Sequence, residues 1–410
     1  MDGTVPMAPD GAAALGAGVD STAIRPFSIN VPDEDLADLR SRLRNTRWPE
    51  RETVPDDTQG VQLATMQKLA DYWANEYDWR KVEARLNALP QFITELDGLD
   101  FHFIHVRSKH ENALPVIITH GWPGSVIEQL KIIGPLTDPT AHGGKAEDAF
   151  DVVIPAMAGY GFSGKPDKPG WDAPRMARAW VELMRRLGYT KVVAQGGDWG
   201  ALVTEQLGVL APPELLGIHT NMPSAVPPEI FAALPTHTPP AGLSEDELWA
   251  FQRLDTFFGK GLAYAQEMGL RPQTLYGIAD SPIGLAAWFC DHDEKSYQLK
   301  ARVFDGVTEG LSRDDILDNL TITWLTNTAI SEARLYWENK LPFFVPMNVK
   351  VPVAISAFRD ELYQCPRSWA ERFYPNLIHY NRVDKGGHFA AWEQPEALVN
   401  EMRTGFRSLR

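Results

Sequence analysis

Cysteine is almost missing from this chain: Cys290 and Cys365 are the only two. Two isolated thiols exclude a disulfide framework and a cysteine-built metal site, and they read as ordinary buried thiols compatible with a reducing cytoplasm. Positive charge is also short, with 39 Lys and Arg against 54 Asp and Glu and a net charge of −15. Such a surface repels phosphate, which argues against nucleic acid or an anionic membrane as partner and for a small uncharged or cationic molecule. No apolar run approaches the roughly 20 residues that span a bilayer. No internal repeat is present, and no low-complexity stretch beyond the Gly- and Ala-rich amino terminus. That segment, 1–24, has no basic n-region, and its apolar run from Ala12 is broken by glycine. It reads as a mobile tail, not a signal peptide.

What remains is a globular composition, 44% hydrophobic and 10% aromatic over 410 residues, enough for roughly two to three structural units. A largely helical opening unit spans 25–99 and carries Trp73, Tyr77 and Trp79, with Arg47-Trp48-Pro49-Glu50-Arg51 interrupting its helices. Phe101–Val106 alternates as a strand does; Leu114–Thr119 and Phe150–Pro155 are continuous apolar strands suited to a buried parallel sheet. Pro174–Leu187 follows as helix. This βαβα order over 100–224 predicts a doubly wound α/β sheet with functional loops at the carboxyl ends of the strands. Prolines then crowd 223–240, and Ser244-Glu245-Asp246-Glu247 has the form of a capping box. The stretch 225–320 therefore reads as an inserted helical lid. The sheet resumes near Val351–Ser356 and Leu377–Tyr380 within a second core part, 321–410, closed by a helix after Pro395.

Gly196-Gly197-Asp198-Trp199-Gly200 has the spacing of a nucleophile elbow, with aspartate where serine is usual. The strand Lys191–Ala194 before it and the helix Ala201–Leu210 after it put Asp198 on a sharp strand-to-helix turn, with the Trp199 N–H directed at the reacting centre. An aspartate, with a reference pKa of about 3.9, is ionised at neutral pH without help. It can displace a leaving group at saturated carbon and form an alkyl ester. An elbow implies partners in the order nucleophile, acid, histidine. His388, in the glycine-rich Lys385-Gly386-Gly387-His388-Phe389, suits a general base. The acid falls on Asp360 or Glu361, and spacing leaves the two open. His120-Gly121-Trp122-Pro123-Gly124-Ser125 follows the strand at 114–119, where a second oxyanion donor is expected. Pro123 has no N–H, so Trp122 takes that role, with His120 as a turn residue beside it.

Together these segments resemble the epoxide hydrolases of the microsomal type from about Arg25 to the end. The family's Arg-Trp-Pro is matched at 47–49, its His-Gly-Trp-Pro-Gly-Ser at 120–125, its Gly-Gly-Asp-Trp-Gly at 196–200 and its Gly-Gly-His-Phe-Ala at 386–390. The resemblance implies the α/β-hydrolase fold, with an inserted helical lid and a helical amino-terminal extension. It assigns the acid to Glu361, because the family's Phe-x-x-Glu or Phe-x-x-Asp falls on Phe358 and Glu361; Arg359, where members commonly carry proline, departs from the pattern. It further implies two lid-side tyrosines that donate hydrogen bonds to the epoxide oxygen. Tyr264, seven residues before Arg271-Pro272, matches the first, with Tyr276 as its nearest rival, and Tyr336 in Arg334-Leu335-Tyr336 matches the second. A phenol with a pKa of about 10 donates while staying neutral. Microsomal members can carry an amino-terminal membrane anchor that is not seen here, so a soluble cytoplasmic enzyme is expected.

The expected activity is hydrolysis of an epoxide to a vicinal diol through an ester on Asp198, with no cofactor or metal and with water as the second reactant. A haloalkane or haloacid dehalogenase would share the aspartate, acid and histidine but would favour Trp or Asn halide donors over paired tyrosines. A non-catalytic binding protein on the same fold could have lost the triad, whereas all three members are present. Lid shape sets the epoxide, carbon and enantiomer used, and the sequence carries no signal for oligomeric state.

Overall fold

A computed structural model describes residues 22–410; the tail expected over 1–24 lies, up to residue 21, outside the described residues. Nine strands form one sheet in the order β1-β2-β3-β5-β4-β6-β7-β8-β9. They are β1 (Arg25–Pro26), β2 (Gln91–Leu96), β3 (Leu99–Val106), β4 (Leu114–Thr119), β5 (Phe150–Pro155), β6 (Val192–Gly196), β7 (Leu215–Thr220), β8 (Val353–Asp360) and β9 (Leu377–Gly387). From β5 to β9 every neighbouring pair is parallel, while β1, β2 and β3 join antiparallel at one edge. The central strands are apolar on both faces, as Val116, Ile117, Ile118 and Val193 are all buried, because helices cover both sides.

The chain leaves β4 for β5 on one side and returns to β6 on the other. This reversal opens a crevice at the carboxyl ends of β4 and β6. The helix Ala173–Arg186 fixes the back of the crevice: Asp172 caps it by accepting from the Arg175 N–H, and its buried stripe of Met176, Trp180, Leu183 and Met184 faces the sheet. Trp180 also donates from Nε1 to Thr119 Oγ1 at 3.1 Å. Burial of each such side chain contributes about 2–3 kcal/mol.

The opening region supplies helices Asp33–Arg44, Leu63–Asn75 and Trp79–Asn87, and also β1 and β2. Its aromatics seat against the helix Arg313–Thr326: Trp73 Nε1 donates to Thr321 Oγ1 at 3.0 Å, Tyr77 to Asp318 at 2.8 Å and Tyr72 to Asp314 at 2.8 Å. Helices continue past residue 320, through Ala329–Glu338, before β8 returns to the sheet. The capping box at Ser244 and Glu247 opens the helix Glu245–Thr256. Cys290 and Cys365 are both free and buried. No helix of the described residues is long and apolar enough to cross a membrane.

Candidate active site

Asp198 stands between β6 and the helix Trp199–Leu210 with φ 53° and ψ −129°. For a residue with a Cβ this conformation costs about 1–3 kcal/mol, and close packing must hold it. A Cβ on Gly200 would lie 1.9 Å from the Thr119 carbonyl oxygen, and one on Gly196 would lie 2.1 Å from that of Gly200. Only glycine lets the helix start this close to β4 and β6. The helix amino terminus adds a favourable field for an anion at Asp198.

One carboxylate oxygen of Asp198 accepts the Trp122 N–H at 2.6 Å, and the other lies 3.0 Å from His388 Nε2. Its side chain is 13% exposed. Burial opposes ionisation, but the hydrogen bond and charge of His388, the neighbouring His292 and the Trp122 N–H outweigh it and hold the carboxyl below the usual range. The Trp199 N–H opens the helix, where no carbonyl of the helix can accept it.

His388 follows β9, and its Nδ1 lies 2.5 Å from Glu361 Oε1. Burial alone would lower its pKa, yet the charges and hydrogen bonds of Glu361 and Asp198 raise it well above the ordinary histidine value. Asp360 remains in the ladder opposite Gly387 at the end of β8, whereas Glu361 passes beyond the strand into full burial. Glu361 Oε1 also accepts the Leu362 N–H at 2.8 Å, and its Oε2 accepts from Asn221 at 3.4 Å. Asn221, directly after β7, is steadied by Gln195 at 3.1 Å. Arg359 is exposed and leaves this arrangement intact.

Tyr264 and Tyr336 meet beside Trp122 and Trp199, the residues on either side of Asp198 in the cluster. Tyr264 stacks on Trp122 at 5.1 Å and 19°, Tyr336 stands edge-on to Trp199 at 4.7 Å and 85°, and the two phenol rings are 5.9 Å apart. Burial raises both phenols well above 10, and the Asp198 charge pushes the same way, so both remain neutral donors. Tyr336 comes from the helix Ala329–Glu338. Tyr276 is 68% exposed and is not brought to this cluster. His120 sits below, its Nε2 accepting the Met157 N–H at 3.2 Å and its ring close to the Gly121 carbonyl.

Several residues at the site carry no sequence signal strong enough to single them out. Glu128 is buried, its pKa pushed up to about 8 by burial first and then by the Asp198 charge, so it adds no second negative charge beside Asp198 at neutral pH. The Ser125-x-x-Glu128 spacing suggests a helix cap; Glu128 instead accepts from Gln129 at 2.7 Å. Glu393 brackets the histidine by accepting the N–H groups of Gly387 at 2.8 Å and Phe389 at 3.2 Å. Asn319 ties its helix to the loop 120–125 through the Pro123 carbonyl at 2.8 Å and Ser125 at 2.7 Å. His292, held by Asp293, stacks against His388, signalled only by a histidine flanked by two aspartates.

The fold recurs in known proteins. The family described as "Epoxide hydrolase N terminus" matches residues 24–129, and "alpha/beta hydrolase fold" matches 115–264. The chain is 51% identical over 395 residues to a protein of Stigmatella aurantiaca (strain DW4/3-1) whose name assigns it provisionally as an epoxide hydrolase, covering 94% of this chain and 86% of that one. It is 34% identical over 409 residues to epoxide hydrolase 1 of Oryctolagus cuniculus, covering 94% of this chain and 89% of that one. The crystal structure of juvenile hormone epoxide hydrolase from the silkworm Bombyx mori superposes with a TM-score of 0.82 at 28% identity, over 95% of this chain and 96% of that one.

Proposed function

The chain belongs to the epoxide hydrolases of the α/β-hydrolase fold and acts on an epoxide and water, and on that premise we propose that it forms the diol through a covalent ester on Asp198. The observation that carries this reading is the Asp198 carboxylate, held between the Trp122 N–H at 2.6 Å and His388 Nε2 at 3.0 Å beneath two neutral phenols.

Tyr264 and Tyr336 donate to the epoxide oxygen while an ionised Asp198 oxygen attacks a ring carbon from the opposite side. The C–O bond of the ring breaks, and a phenol proton passes to the forming alkoxide. Alkylation removes the negative charge of Asp198, one of the two partners that raise the His388 pKa. The histidine thereby becomes a competent base at the stage that needs one, with Glu361 left to stabilise the imidazolium. His388 takes a proton from water, the oxygen adds to the Asp198 acyl carbon, and the N–H groups of Trp122 and Trp199 receive the oxyanion. Collapse releases the diol, and the hydrogen left on the water-derived oxygen of Asp198 passes to the phenolate, restoring both the carboxylate and the neutral phenol.

Changing His388 to Gln tests this directly, because alkylation needs no base and hydrolysis does. Intact-mass measurement after epoxide addition is expected to show enzyme heavier by the mass of one epoxide. H388Q protein that loses turnover yet stays unmodified at saturating epoxide contradicts the ester.

A further inference from the structure

His292 lies just past the helix Pro282–Cys290 and is fully buried. Its ring is nearly parallel to that of His388, with centroids 4.5 Å apart at 30°. Nδ1 lies 2.9 Å from Asp293 Oδ2, and Asp293 is itself fixed by accepting the Ser296 N–H at 2.8 Å as the cap of the next helix. An ionised carboxylate only accepts, so Nδ1 carries the hydrogen and Nε2 presents a lone pair. Burial, reinforced by the His388 charge, lowers the His292 pKa and keeps the ring neutral. Nε2 is buried and has no hydrogen-bond partner. A ring nitrogen of His292, one of His388 and a carboxylate oxygen of Asp198 lie within 4.8 Å of one another. Two partners of one tetrahedral water stand about 4.6 Å apart when each hydrogen bond is about 2.8 Å.

We propose that His292, oriented by Asp293, is a positioning residue for the hydrolytic water, accepting one of its hydrogens at Nε2 while His388 takes the other as a proton. The inference rests on the ester reading above. In the step, one water O–H bond breaks, an N–H bond forms on His388, and the oxygen bonds to the Asp198 acyl carbon; His292 exchanges no proton. When the tetrahedral intermediate collapses, the bond from that carbon to the diol oxygen breaks and the leaving alkoxide takes the proton from His388. Without an acceptor at His292 the water can rotate its lone pair away from the ester, which wastes the base.

The competing role for His292 is packing, since it also touches Tyr264 at 5.0 Å and Phe389 at 5.8 Å. His292→Phe keeps a flat ring and removes the acceptor, whereas His292→Gln restores a carbonyl oxygen near the position of Nε2. Alkylation and ester hydrolysis are followed separately in single turnovers of styrene oxide, by rapid quench and intact mass. H292F is expected to alkylate within about threefold of wild type and to hydrolyse its ester roughly ten- to hundredfold more slowly, the effect of one buried hydrogen bond. H292Q is expected to recover much of that loss. Hydrolysis by H292F at the wild-type rate, equal slowing in both variants, or parallel loss of both half-reactions overturns the assignment. An ester absent from wild type and from H388Q alike refutes the covalent reading itself, and this inference with it.

Discussion

Gly121→Ala is a sharp perturbation of the proposed nucleophile Asp198 that replaces none of the proposed catalytic side chains. A Cβ at this position would lie 2.4 Å from both Cβ and Oδ1 of Asp198 and 2.7 Å from its Cγ. Carbon atoms pack at about 3.5–4.0 Å, so the carboxylate must retreat by roughly 1 Å. It is held at 2.6 Å by the Trp122 N–H and at 3.0 Å from His388, and such a shift takes these contacts beyond good hydrogen-bond length. Misplacing a reacting atom by about 1 Å costs on the order of a hundredfold in rate. Gly121 does not use the left-handed backbone region, so alanine adds no conformational strain and the loss reflects the contact alone. Alkylation is measured by stopped-flow tryptophan fluorescence, with Trp122 and Trp199 flanking the proposed ester, and folding by thermal melting. Gly277→Ala, where nothing lies within 4 Å, is the control and is expected to match wild type. A G121A enzyme that alkylates within threefold of wild type refutes the crowding argument.

Tyr264→Phe and Tyr336→Phe are each expected to slow alkylation about a hundredfold or more while changing hydrolysis of a preformed ester much less, and wild-type alkylation by both refutes their role as donors. Glu361→Gln is expected to cut ester hydrolysis steeply and to shift its base limb to lower pH, because the charge that raises the His388 pKa is gone; Asp360→Asn is expected to leave hydrolysis near wild type, and the reverse pattern reassigns the acid. Burial pushes Glu332 up to about 8, beyond what Thr328 and Thr323 offset. A raised carboxyl pKa contributes stability that is full below its unfolded value and lost as pH rises through the folded one. Wild type should therefore lose stability relative to Glu332→Gln between about pH 5 and pH 9, by a few kcal/mol, since each tenfold difference in proton affinity between the folded and unfolded chain is worth about 1.4 kcal/mol. Parallel denaturation midpoints across that range contradict a raised Glu332 pKa.

The elbow is legible in the sequence because it is a contiguous motif set by a strand-to-helix turn, and His388 stands out through the glycines that precede it. Choosing Glu361 over Asp360 was beyond spacing, since adjacent residues differ only in whether the strand has ended: Asp360 still pairs in β8 and Glu361 does not. The hairpin joining β2 to β3 carries a recognisable Asp-Gly turn at Asp97 and Gly98, both with positive φ, yet the helical character of its surroundings masked it. Tyr336 was marked by motif alone, and its helix lies past the lid boundary read at 320. Glu128 meets Asp198 and His292 meets His388 only across segments far apart in the chain, whereas Glu393 reaches Gly387 and Phe389 within its own loop. Local pattern carries no information on the long-range contacts, because they arise only once the segments pack together.

The covalent route predicts where each product oxygen originates. In a single turnover with enzyme in excess, in water enriched in heavy oxygen, the attacking water oxygen should enter the Asp198 carboxylate and the first diol released should be unlabelled. Peptide mass analysis that finds label in the peptide bearing Asp198, with none in the diol, is the expected result. Label in the first-turnover diol with none at Asp198 means that water attacks the epoxide directly, and it contradicts the ester mechanism.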